Sequence, residues 1–131
     1  MTRSKAGRKH AGMTLLELTV VILVLLALIT TLFAGARAWV RGSDRTSCIM
    51  NIRKVQQAVR SYQNLNGLAD GASLDVNGTL TGSGNFIETA TVCPAGGTYT
   101  YATTIPPLGT LVMTCSLETS EDHVPTSYAG W

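Results

Sequence analysis

Histidine is nearly missing from this 131-residue chain, which has only His10 and His123. No Ser-His-Asp arrangement and no catalytic pair of carboxylates can be built from what is there. The three cysteines, Cys48, Cys93 and Cys115, show no C-x-x-C spacing, which speaks against zinc. No metal, no cofactor and no enzymatic activity are expected, and nothing resembles a nucleotide site. Proline is absent before Pro94, so no proline breaks a helix over the first two thirds of the chain. Acid is missing from the first twelve residues, which carry Arg3, Lys5, Arg8, Lys9 and His10. The formal charge of +2 is therefore uneven: beyond Gly12, six bases face eight acids. No Lys/Arg cluster of the kind a phosphate-binding surface needs is present there, so a nucleic-acid partner is not expected.

An apolar run is what the chain does have. From Leu15 to Phe33, Glu17 is the only charge, and Thr19, Thr30 and Thr31 are the only other polar side chains. As a helix this run is about 28 Å long, close to the ~30 Å hydrocarbon core of a bilayer. One membrane crossing is expected. The basic start favours a cytoplasmic N-terminus, although Arg37, Arg41 and Arg45 follow on the far side, partly offset by Asp44. A carboxylate inside such a run costs ~2.5–3.5 kcal/mol or more, so Glu17 is a candidate functional residue. The competing reading is an acid near a helix end that reaches the headgroups.

The order of these features carries a resemblance: basic leader, Gly12, Met13, Thr14-Leu15-x-Glu17, then the apolar run. It resembles the class III signal of type IV pilins and type II secretion pseudopilins. The resemblance implies a cleaved leader (1–12) and a cut between Gly12 and Met13 by prepilin peptidase, with N-methylation of Met13. It also implies a filament-core helix over 13–36, with Glu17 pairing with the Met13 ammonium of a neighbouring subunit. Paired, the two charges are tolerated, and a subunit out of register leaves both exposed to an apolar setting. Many pilins have a proline where this chain has Ala34, within Ala34-Gly35-Ala36. The implied partners are other copies of the chain, other minor pilins, the inner-membrane assembly platform and its ATPase. The implied place is the bacterial inner membrane, single pass, with a periplasmic C-terminal region and a filament in the periplasm or outside the cell. The short outer region and the missing proline favour a pseudopilin of a type II secretion-like system. The alternatives are a type IV pilin for adhesion, motility or DNA uptake, and a monomeric, membrane-anchored binding domain.

In the oxidising compartment this placement implies, Cys93 and Cys115 are expected to form a disulfide. Its loop is worth ~3 kcal/mol in the chain-entropy model. Cys48 is the odd one out, a small buried hydrophobe on a helix. Between Trp39 and Leu65, Arg45, Cys48, Ile52, Val55, Val59 and Tyr62 alternate steps of three and four and share one face. The fold expected is α+β: an amphipathic helix over 37–66 continues the apolar one and packs on a small antiparallel sheet within a β-rich region, 67–131. The helix should stop near Asn66-Gly67. Leu74–Thr81 reads as a hairpin around Asn77-Gly78. Its Asp75-x-Asn77-Gly78 lacks the third oxygen ligand and distal Glu of a calcium loop. Phe86–Ala90 reads as a short helical turn or strand, and Thr98–Thr103 and Thr110–Ser116 read as strands around a turn at Ile105–Gly109. The Cys93-Pro94-x-Gly96-Gly97-x-Tyr99…Cys115-Ser116…His123 arrangement resembles a subset of pseudopilin-like proteins. Glu118, Glu121, Asp122 and His123 form an acidic cluster, read as a solvated loop in preference to a calcium site.

Overall fold

A computed structural model of the protein describes Gly12 and residues 14–131. One helix, α1, spans Leu15–Asn66. A single wide helical turn follows at Val76–Leu80, then two short strands, β1 (Tyr99–Tyr101) and β2 (Met113–Cys115). The layout is α+β, with a long N-terminal helix and a two-stranded antiparallel sheet. The chain divides after Ala38 into two compact units.

In the first unit, α1 starts with its orphan amides partly satisfied. Thr14 Oγ1 accepts from the Glu17 amide at 3.3 Å, and Thr14 O accepts from the Leu18 amide at 3.1 Å. The large apolar side chains from Leu15 to Phe33 are exposed. This stretch is long and apolar enough to cross a membrane. Its three threonines donate back to carbonyls three residues earlier: Thr19 to Leu16, Thr30 to Ala27 and Thr31 to Leu28, each at 2.8 Å. A hydroxyl satisfied within its own helix asks nothing of a lipid neighbour. The helix continues unbroken through Ala34-Gly35-Ala36.

The second unit, Trp39–Trp131, contains the core. Cys48, Ile52, Val55 and Val59 of the expected stripe are fully buried, with Arg45 and Tyr62 half-buried at its ends. β1 and β2 pair with Tyr99 opposite Cys115, Thr100 opposite Thr114 and Tyr101 opposite Met113. Alternation along the strands sends Tyr99, Tyr101, Met113 and Cys115 into the same apolar cluster as the helix stripe. Gln56 is buried on the helix and pins the chain before β2. Its Nε2 donates to Thr110 O at 3.1 Å, and its Oε1 accepts from the Val112 amide at 2.9 Å. The helix stops where the sequence says it should. Gly67 takes the left-handed conformation (φ 59°), and the Leu68 amide donates back to Gln63 O at 3.0 Å, a Schellman closure.

Two local expectations fail. Leu74–Thr81 is not a hairpin. Gly78 does not adopt the positive φ that a type I′ turn requires. Instead Asp75 Oδ1 accepts from the Gly78 amide at 3.0 Å, and the wide turn buries both Val76 and Leu80. A two-residue hairpin would send those two side chains to opposite faces, leaving one outside the core. A Cβ on Gly78 would meet the Asp75 carboxylate, which would have to move and give up its bond to the Gly78 amide. Phe86–Ala90 is neither helix nor strand and contributes one isolated bridge, Ile87 to Thr81.

Candidate functional site

The expected processing and assembly residues lie at the start of the chain. Gly12 is exposed, with open space where a Cβ would sit. Met13 lies outside the described residues. Glu17 is exposed in the first turn of α1. Among the described residues its carboxylate makes no ion pair. Thr14-x-x-Glu17 also has the spacing of a capping box, and an acid in the first turn suits the positive end of the helix dipole. Of that box, the half formed is the bond from the Glu17 backbone amide to Thr14 Oγ1.

A second constellation forms in the Trp39–Trp131 unit. Cys48 from α1, Cys93 from the loop before β1, Cys115 from the end of β2 and His123 from the C-terminal loop converge. Their sulfurs and an imidazole nitrogen all lie within 4.8 Å of one another. All four residues are buried. His123 Nδ1 is 3.5 Å from Cys93 Sγ and 4.0 Å from Cys115 Sγ. Its other nitrogen, Nε2, is buried, has no hydrogen-bond partner among the described residues, and sits 3.7 Å from Glu121 Oε2.

Three residues spaced one turn apart on α1 hold this arrangement. Arg45 reaches Asp122, the residue before His123. Its Nε donates to Asp122 O at 2.8 Å, and its guanidinium pairs with the Asp122 carboxylate at 2.6 Å. Asp122 takes a left-handed backbone (φ 58°), unusual away from glycine, and the double contact to Arg45 secures it. Cys48 follows on the next turn. Asn51, one turn further, donates from Nδ2 to Val92 O at 3.0 Å, holding the residue before Cys93. The same amide reaches the Tyr99 hydroxyl at 3.2 Å, and that hydroxyl donates to Cys48 Sγ at 3.4 Å. Gly97 completes the enclosure: a Cβ there would sit 2.8 Å from Cys115 Sγ and 3.1 Å from the Leu117 side chain.

The thiols are not electrostatically alike. Burial pushes the Cys48 thiol up to about 12, against the pull of the Tyr99 hydrogen bond. Burial also acts to raise Cys93, but the amides of Gly97 and Ala95 and the neighbouring thiols outweigh it, and its pKa falls below the ordinary value. Tyr99 is raised, by burial first and by Cys48 next.

The expected Cys93–Cys115 disulfide is absent: all three cysteines are free thiols. Cys48 is free and buried as expected. The physical reason is that Cys93 and Cys115 do not meet as an isolated pair; Cys48 and His123 share their pocket. C-x-x-C spacing tells only of neighbours in sequence, and these four residues are far apart in the chain. His123 is not part of a solvated loop, although Glu121 and Asp122 are exposed. Two features of the sequence point this way: the stripe that puts Cys48 on the core face of α1, and the Cys93…Cys115…His123 arrangement. The chain matches no known protein family, no curated protein and no solved structure.

Proposed function

We infer that the chain is a non-enzymatic filament subunit of the type II pseudopilin kind, anchored by α1 before assembly. The observation that carries this reading is the exposed apolar stretch Leu15–Phe33, which begins directly after Gly12-Met13-Thr14 and contains a single acid, Glu17. A surface this apolar needs a bilayer or other copies of itself around it. Membrane residence answers the need before assembly, and packing of the same helices in a filament answers it afterwards. In this reading prepilin peptidase cuts between Gly12 and Met13 on the cytoplasmic side and methylates Met13. The second unit then stands outside the inner membrane, and an assembly platform with its ATPase drives polymerisation. Glu17 serves as the register device, meeting the Met13 ammonium of a neighbour.

Intact-mass measurement of membrane-extracted protein tests this reading. A chain beginning at N-methylated Met13 is expected. A retained leader, or removal of the whole apolar segment, refutes it; the former would favour a monomeric anchored domain.

A further inference from the structure

We propose that Cys48, Cys93, Cys115 and His123 bind one zinc ion as a structural Cys3His site. The proposal concerns the Trp39–Trp131 unit alone and does not depend on the filament reading. Nothing in the local sequence spacing suggests it; tertiary contacts assemble the four ligands.

The number, type and distances of the donors fit. Structural zinc takes four ligands in a tetrahedron, and three thiolates with one imidazole is a common set. With Zn–S of about 2.3 Å and Zn–N of about 2.0–2.1 Å, tetrahedral edges are about 3.6 Å from sulfur to nitrogen and about 3.8 Å between sulfurs. The 3.5 Å and 4.0 Å from His123 Nδ1 to the Cys93 and Cys115 sulfurs bracket the first value. The limit of 4.8 Å over all four atoms leaves about an ångström of contraction at most on the longest edge. Thiolate-rich tetrahedral sites favour zinc over magnesium, calcium or manganese, which prefer oxygen.

The surroundings fit as well. A histidine that ligates through one nitrogen normally gives its other N–H to a carboxylate, carbonyl or water. Here Nδ1 faces the sulfurs, and the buried, otherwise unpartnered Nε2 faces the Glu121 carboxylate. The Tyr99 hydroxyl donates to Cys48 Sγ, and Asn51 orients that hydroxyl. A hydroxyl donor held in this way is one that a thiolate uses. All four ligand residues are buried, so no position stays open for substrate, and the role is structural.

Binding is a proton exchange without redox change. Zinc displaces the protons of the three thiols and takes the lone pair of neutral His123, leaving a centre of net charge −1. The ion would tie α1, the loop before β1, the end of β2 and the C-terminal loop to one point. It would also keep the sulfurs from pairing with one another in an oxidising compartment.

The test uses the untagged full chain, extracted from membranes in detergent without added metal or chelator. Mass spectrometry of metals should find one zinc per chain. Zinc K-edge absorption of the wild-type protein should fit three sulfurs at about 2.3 Å and one nitrogen at about 2.0–2.1 Å. Alkylation of the cysteines should be slow until a strong chelator is added, then proceed at all three. Cys48→Ser should lose most of the zinc; because that change also strikes the core, the wild-type absorption spectrum decides. A disulfide between any two of the three cysteines overturns the proposal. So does a zinc shell without sulfur, or a different metal in the site.

Discussion

Replacing Gln56 by leucine should destabilise the Trp39–Trp131 unit far more than its place in an apolar cluster suggests. The side chain is 2% exposed, and both ends of its amide are used, one by Thr110 O and the other by the Val112 amide. Val112 is itself buried. Leucine has about the same volume and a larger transfer gain, so an account based only on hydrophobic burial predicts a neutral or stabilising change. The polar account runs the other way. Two hydrogen bonds at ~0.5–1.5 kcal/mol each are lost, and the stranded Val112 N–H brings a desolvation cost of ~1–3 kcal/mol. Offset by about 1 kcal/mol of extra apolar burial, the net expected loss is ~1–5 kcal/mol, centred near ~3 kcal/mol. At 4–8 °C per kcal/mol for a unit of this size, the melting midpoint should fall by roughly 10–20 °C. Thermal unfolding of the full chain in detergent, followed by near-ultraviolet circular dichroism, measures this. Gln57→Leu, at the exposed neighbouring position, serves as the control and should change stability by under about 0.5 kcal/mol. A Gln56→Leu variant as stable as wild type would show that the loop before β2 does not depend on this amide.

Gly97→Ala should crowd the Cys115 sulfur and the Leu117 side chain, costing ~1–3 kcal/mol and weakening zinc retention, read by denaturant titration and by metal content. Chelation of the wild-type chain should lower its melting midpoint, because an ion that binds only the folded state stabilises it, and added zinc should restore the midpoint. Glu17→Leu should leave membrane abundance unchanged or raised, since a charge costing ~2.5–3.5 kcal/mol is gone, while filament yield collapses; both are read by immunoblot of membrane and sheared fractions. Substituting a bulky residue for Gly12 should leave the leader attached, visible as a heavier intact mass.

Legibility in the sequence followed the range of the forces involved. The extent of α1 was readable because its causes are local: no proline before Pro94, a stripe of steps of three and four, and an Asn66-Gly67 stop. The two strands are found where expected but are shorter, Tyr99–Tyr101 and Met113–Cys115, with one backbone bond beyond each end of the pair, Ser116 to Thr98 and Ala102 to Val112. The wide turn at Val76–Leu80 was missed because Asn-Gly argues for a hairpin locally, and only the burial of Val76 and Leu80 decides against it. Gln56 was not singled out because glutamine has no periodic signature; its place is set by carbonyl and amide groups of a distant loop. The cysteines were counted correctly and paired wrongly. A disulfide reading considers sulfurs two at a time, whereas here a helix residue and a histidine complete a set of four.

The spacing of Arg45, Cys48 and Asn51 also bears on which changes of length α1 can accept. Each residue added to a helix turns everything beyond it by about 100° and advances it by about 1.5 Å. Between Arg45 and Asn51, a single insertion would swing Asn51 away from Val92 and Tyr99 while Arg45 still held Asp122. Substitutions in this stretch can be absorbed side chain by side chain, but an insertion or deletion cannot. α1 therefore acts as a gauge rod for two loops remote in sequence. Genetic drift in this part of the chain should be confined to replacement, with gain or loss of residues displaced to the exposed Ser83–Asn85 bend, whose hydrogen bonds from Asn85 to Gly82 and Thr81 are local.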